Sequence, residues 1–144
     1  MQIIKKENIV LGLAPESHED AIRRCGKMLV SSGYVNEKYI EGMLARDKSF
    51  STSIGNAIAI PHGEMEYKKE ILNTGLVVCT YPKGISWNGD KVKLVIGIAA
   101  KGDEHLEILG KIVDAFEDES AVDAIATGGS VEAVYKILAP NGEE

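Results

Sequence analysis

The sequence predicts an α/β fold, one layered domain over residues 1–144 with a mixed β-sheet flanked by helices on both faces. Segments with apolar residues every three or four positions give way to short, nearly continuous apolar runs and then return. Such runs mark strands covered on both faces. No repeat, low-complexity tract or linker divides the order, and 144 residues that are 44% hydrophobic can bury roughly two-thirds of their unfolded surface in one core.

The first helix is expected over residues 17–32, where Ala21, Ile22, Cys25, Met28 and Leu29 share a face, Ser17 is the N-cap with Asp20 three residues on, and Gly33 is the stop. A second begins at Asn36, another capping residue. It places Ile40, Met43 and Leu44 on its apolar side and ends in the charged Arg46, Asp47 and Lys48. Strands are expected at 57–60, closed by Pro61, at 76–81 (LVVCTY) and at 92–100 (VKLVIGIAA); their order is not legible in these runs. The helical period returns at Glu104, just after Gly102 and Asp103, with Leu106, Leu109, Ile112, Val113 and Phe116 on one stripe. Shorter helices follow at 120–126 and 130–139, separated by Gly128 and Gly129. Pro140 closes the last, and the tail 140–144 is expected to fray.

Charge and cysteine usage narrow the function. The balance of 16 basic against 22 acidic residues, a net −6, repels a phosphate backbone and argues against nucleic acid as partner. No run reaches the roughly 18 apolar residues of a membrane span, and MQIIKKENIV lacks the apolar core of a secretory signal, so a cytoplasmic location is expected. Cys25 and Cys79, far apart in the chain and each in an apolar stretch, read as buried thiols.

The usual phosphate-loop, dinucleotide, zinc and serine-hydrolase motifs are absent, and His18, His62 and His105 are too widely spaced for a local metal motif. Neither metal nor cofactor is expected. His62 stands in IGNAIAIPHG, where an apolar strand delivers it beside Pro61, with its fixed φ, and Gly63, whose backbone is free to turn. Strand ends of helix-flanked sheets are where such folds bind ligands. On local chemistry alone, PHG reads equally well as a turn with a solvated histidine. His105 opens a helix in GDEH, either as a surface residue of the first turn or as a donor at a helix end that attracts anions. Arg46 is either a cation complementing a helix end or a bidentate grip on phosphate oxygens. His18 has no motif around it and reads as bland. Trp87, in the loop YPKGISWNGD, reads as a lid over the core in preference to a recognition aromatic.

Residues 47–63 resemble the phosphorylation-site signature of the fructose and mannitol class of enzyme IIA in the bacterial sugar phosphotransferase system. Asp47, Ile54, Gly55, Ile58, Ala59, Ile60, Pro61, His62 and Gly63 fill its positions without departure. TGLVVCTYPKGISW and KLVIGIAAKGDEHLEIL are similar to later blocks of the mannitol branch, so the resemblance covers nearly the whole chain. It implies a carrier that is phosphorylated on His62 Nε2 by the phosphocarrier HPr and passes the group to a cysteine of an enzyme IIB domain during uptake of a sugar alcohol, with mannitol the expected one. It further implies active-site positions at Arg46, Asn56 and His105. Glu64 departs from the Thr of many relatives and places a carboxylate where it would oppose an incoming phosphoryl group.

Two competing functions remain at this stage. One is a regulatory, nitrogen-type enzyme IIA, against which the mannitol-like blocks argue. The other is a non-catalytic binding module in which PHG is only a turn.

Overall fold

The central strands are too apolar to leave either face wet. β4 (Gly75–Trp87) and β5 (Asp90–Ala99), numbered in chain order, form a long antiparallel hairpin in the middle of the sheet. Leu76, Val78, Leu94, Ile96 and Ile98 point into one apolar cluster, and Val77, Cys79, Tyr81, Val95 and Ala99 into another. The two-residue period of a strand thus feeds two cores. The computed structural model describes residues 3–102 and 104–139; Asp103, Pro140 and the tail expected to fray lie outside them.

β1 (Ile4–Val10) pairs parallel with β4, β3 (Ile58–Ala59) parallel with β5, and β2 (Ser53–Gly55) antiparallel with β3. The resulting order, β1-β4-β5-β3-β2, is a mixed five-stranded sheet. Helices α1 (His18–Ser31) and α2 (Tyr39–Ser49) cover one face; α3 (Glu104–Ala115), α4 (Glu119–Gly128) and α5 (Val131–Leu138) cover the other. Three helix starts carry side-chain caps, with Ser17, Asp118 and Ser130 each accepting from the backbone N–H three residues on at 3.1 Å. No helix among the described residues is long and apolar enough to cross a membrane.

Several expectations need correction. β1 and β2 are additional strands, and a register shift between Ile4 and Ile9 breaks the alternation that would have marked β1. Asn36 does not cap α2; its amide donates to Glu70 at 3.3 Å, a turn intervenes, and the cap position falls to Lys38. The segment YPKGISWNGD is no loop. β4 runs through it to Trp87, and Asn88 and Gly89, both at positive φ, make the tight hairpin turn. On α3 the buried stripe is Ile108, Ile112 and Phe116 after the helix, whereas Leu106 and Val113 are 70% and 54% exposed. Cys25 and Cys79 are free and buried as expected, and the Cys79 sulfur beside it together with burial pushes the Cys25 thiol well up.

Asp47 is the main polar anchor of the α1–α2 layer. Its buried Oδ1 accepts from Thr52 N at 2.9 Å, Thr52 Oγ1 at 2.6 Å and Trp87 Nε1 at 2.8 Å. Oδ2 accepts from Asn88 Nδ2 at 3.2 Å and lies 3.2 Å from His18 Nε2. His18 also stacks obliquely on Trp87. The indole, fully buried, thus closes the core as a lid whose one polar atom is satisfied. Burial alone would raise the Asp47 pKa, but the hydrogen bonds from Thr52, Trp87 and Asn88 outweigh it and hold the carboxyl below its ordinary range. A depressed carboxyl pKa stabilises the fold above the unfolded value of about 4, and that stability is lost as pH falls through the folded value. Asp47→Ala, which orphans buried N–H groups, should lower stability at pH 7 by roughly 2–4 kcal/mol in urea unfolding. Asp47→Asn should show a shallower loss of stability on acidification than wild type.

Candidate functional site

Topology explains why His62 and His105 meet. β3 and β5 are parallel neighbours, so their C-terminal ends lie at the same edge of the sheet. β3 runs on through Pro61 to His62, and β5 runs on to the first turn of α3, which carries His105. The two imidazoles sit with ring centroids 4.9 Å apart, tilted by 58°. This is the strand-end position where helix-flanked sheets bind ligands.

The backbone of residues 60–64 is strapped to four places. Ile60 N donates to Thr52 O at 2.9 Å, Pro61 O accepts from Ile98 N at 2.9 Å, Gly63 N donates to Tyr39 Oη at 2.8 Å and Glu64 N to Gly42 O at 3.3 Å. The Tyr39 hydroxyl itself donates to Ile98 O at 2.9 Å. Burial pushes its pKa up to about 12 against the opposing effect of the Gly63 N–H, so it keeps the proton that it donates. Only glycine fits at position 63, because a Cβ there would lie 2.5 Å from the Tyr39 ring.

The His62 ring is fixed in turn. Nδ1 lies 2.7 Å from the Ile60 carbonyl, which can only accept, so Nδ1 carries the hydrogen and Nε2 has the free lone pair. Burial lowers the His62 pKa and the Arg46 charge lowers it further, against the Ile60 hydrogen bond, which raises it. For His105 burial again leads, followed by the charges of His62, Lys68 and Arg46. The Glu104 carboxylate beside it is engaged elsewhere, accepting from Thr74 Oγ1 at 2.5 Å, and Thr74 Oγ1 also accepts from Lys101 N. This clamp fixes the first turn of α3.

These groups line a cavity of about 390 Å³. Arg46 reaches it from the last turn of α2, where its Nη1 also donates to Phe50 O at 2.5 Å, so it is both a helix-end cation and a cavity wall. Glu64 is at the rim, accepting from Ser49 Oγ at 3.2 Å. Met65, 82% exposed, and Leu106 make the mouth apolar. A larger cavity of about 600 Å³ between α1 and the end of α2 contains neither His62 nor His105. Among the described residues no group of three or more His, Cys, Asp or Glu side chains is arranged to hold a metal ion.

The structure therefore brings His62, His105 and Arg46 together but does not bring Asn56 to them. Asn56 lies before β3 and His62 after it, at opposite ends of the strand. Its amide donates to the Glu117 and Phe116 carbonyls at 3.0 and 3.4 Å, beyond α3. His18 belongs to the Asp47 anchor and does not line the cavity. Four cavity residues escape the sequence analysis, Tyr39, Met65, Lys68 and Ile71. Tyr39 looks like one more core aromatic; Lys68 looks like a solvated lysine until the 3₁₀ spacing of the helix Met65–Glu70 places it on the same side as Met65.

Nearly the whole chain falls within one family. Residues 2–140 match the model of the phosphoenolpyruvate-dependent sugar phosphotransferase system EIIA 2 family, and the chain belongs to that family. Its relatives include proteins named for mannitol. It is 44% identical over 139 residues to the PTS system mannitol-specific EIICBA component of Vibrio cholerae, covering 94% of this chain and 21% of that protein. It is 40% identical to the mannitol-specific phosphotransferase enzyme IIA component of Staphylococcus aureus, over 95% of both chains. The chain thus spans about a fifth of the multidomain EIICBA relatives and nearly the full length of the separate IIA component. In solved structures it resembles the enzyme IIA of the Escherichia coli complex of mannitol IIA with phosphorylated mannitol IIB. The TM-score is 0.86 at 39% identity, over 94% of this chain and 97% of that one.

Both histidines should titrate below the ordinary 6.5 in an NMR pH series, leaving both rings neutral at pH 7. Arg46→Ala, which removes a neighbouring cation, should raise both midpoints. A His62 midpoint at or above 6.5 would contradict the described environment.

Proposed function

We propose that this chain is a phosphoryl carrier of the mannitol phosphotransferase system. His62 takes the group from phospho-HPr and gives it to a cysteine of an enzyme IIB component on the cytoplasmic side of a membrane transporter. The observation that carries this is the His62 ring, locked by Ile60 with Nε2 free beside His105 and Arg46. Family membership and the mannitol-specific names of the relatives supply the class of reaction and the sugar.

In the first step the Nε2 lone pair attacks phosphorus, the bond from phosphorus to the HPr nitrogen breaks, and a bond to Nε2 forms. The ring gains positive character, which the Nδ1–H···O=C bond to Ile60 stabilises. In the second step a cysteine thiolate of IIB attacks, the N–P bond breaks with its electrons returning to Nε2, and His62 is neutral again. Transfer between two protein nucleophiles passes through a loose transition state, so positioning and charge stabilisation are the main demands. Arg46 offers a guanidinium to the equatorial oxygens, and His105 an N–H in either protonation state. The apolar mouth formed by Met65 and Leu106 suits a protein donor.

The test is incubation with enzyme I, HPr and phosphoenolpyruvate. Wild type should acquire an acid-labile, base-stable phosphate and His62→Ala none; a binding module would stay unlabelled. Arg46→Ala should slow transfer on the order of a hundredfold with the fold retained. His105→Gln should keep much more of the rate than His105→Ala, and equal rates in both and in wild type would remove His105 from the mechanism.

A further inference from the structure

The 3₁₀ helix Met65–Glu70 begins three residues after His62, and its period decides which of its side chains face the cavity. With three residues per turn, Met65, Lys68 and the following Ile71 lie on one side. All three line the cavity with His62, Arg46 and His105, whereas Glu66, Lys69 and Glu70 do not. The opposite side is anchored. The Tyr67 ring packs so closely on Gly42 that a Cβ there would lie 2.4 Å from it, and Asn36 N donates to Glu70 O at 2.8 Å. These contacts set the phase of the helix, with Lys68 and not Lys69 on the cavity side. Among the described residues the Lys68 ammonium has neither a carboxylate nor a hydrogen-bond partner. Its charge is nonetheless felt at His105, whose pKa it helps to lower after burial and His62.

We propose that Lys68 is a second phosphoryl-binding cation, gripping the group on His62 together with Arg46. This deepens the carrier reading above and rests on it. A bound phosphoryl group brings about two negative charges into a half-buried cavity. Arg46 meets them with a guanidinium already committed in part to the Phe50 carbonyl, and Glu64 adds a carboxylate at the rim. An ammonium that has no partner among the described residues, on a flexible stem, supplies the missing charge. It offers three donors that can follow the phosphorus as it passes from His62 to the acceptor sulfur. Lys68 forms and breaks no covalent bond; the N–P and S–P exchange is that of the carrier reaction.

The test compares wild type with Lys68→Met, Lys68→Arg and, as a control of equal charge change outside the cavity, Lys69→Met. The isolated phosphoprotein is titrated by ³¹P NMR, which reads the ionisation of the phosphoryl group without any docking partner. Loss of a contacting cation should raise that pKa in Lys68→Met, leave it near wild type in Lys68→Arg, and leave it unchanged in Lys69→Met. Single-turnover transfer at saturating phospho-HPr should slow about tenfold in Lys68→Met, less than for a buried donor because solvent screens an exposed ammonium. An unmoved ³¹P titration, an equal shift in Lys69→Met, or a change confined to the concentration of phospho-HPr needed would overturn the proposal. A wild type that takes no label would instead overturn the carrier reading itself, and Lys68 would have no group to hold.

Discussion

The buried carboxylate of Asp47 is the constraint on which the α1–α2 side of the structure depends. It joins the end of α2, the approach to β2, the β4–β5 turn and the start of α1 through one charged group. An ionised carboxylate is stable away from water only when its lone pairs are filled, and here donors from Thr52, Trp87 and Asn88 fill them. The consequence reaches the site. Arg46 precedes Asp47 in the same helical turn, and Thr52, which Asp47 holds, in turn accepts the Ile60 N–H that begins the strapped segment. The first residue of the 47–63 signature is therefore a structural anchor, one hydrogen-bonded link removed from the loop that ends in His62.

From that anchor the geometry of the cavity follows with few further choices. Parallel pairing of β3 with β5 brings two histidines, some forty residues apart in sequence, to one sheet edge. Tyr39 and the Ile60 carbonyl remove the remaining freedom, one at the backbone and one at the ring. The electrostatics work in the same direction. Burial and neighbouring cations depress both imidazole pKa values, so the rings stay neutral and one nitrogen of His62 stays nucleophilic, while the same cations wait for an anion. The phosphoryl carrier proposed above needs a pre-placed nucleophile and charge that does not clamp irreversibly.

Much of this was legible in the sequence, and the gaps have physical causes. Central strands announce themselves because both faces are apolar, and the Ser17 cap because a hydroxyl before a periodic run has few other uses. β1 is hidden by its register shift, and the end of β4 by Gly84, which reads as a loop residue though it lies within the strand. The expected stripe on α3 holds at Ile112 and Phe116 and fails at Leu106 and Val113, which are apolar without being core. At the site, the PHG segment identifies His62 locally. Asn56 could not be judged without knowing that a strand separates it from His62. Tyr39 and Lys68 have no local signal, since one depends on a tertiary hydrogen bond and the other on the phase of a single 3₁₀ turn.

The central claim is that the protein presents one specific nitrogen, Nε2 of His62, to the phosphoryl donor. Long-range ¹H–¹⁵N and ³¹P correlation spectra of the phosphorylated chain test it most directly. The described hydrogen bond predicts phosphorus on Nε2, with the proton retained on Nδ1 toward the Ile60 carbonyl. Phosphorus on Nδ1, or on either nitrogen of His105, would contradict the account.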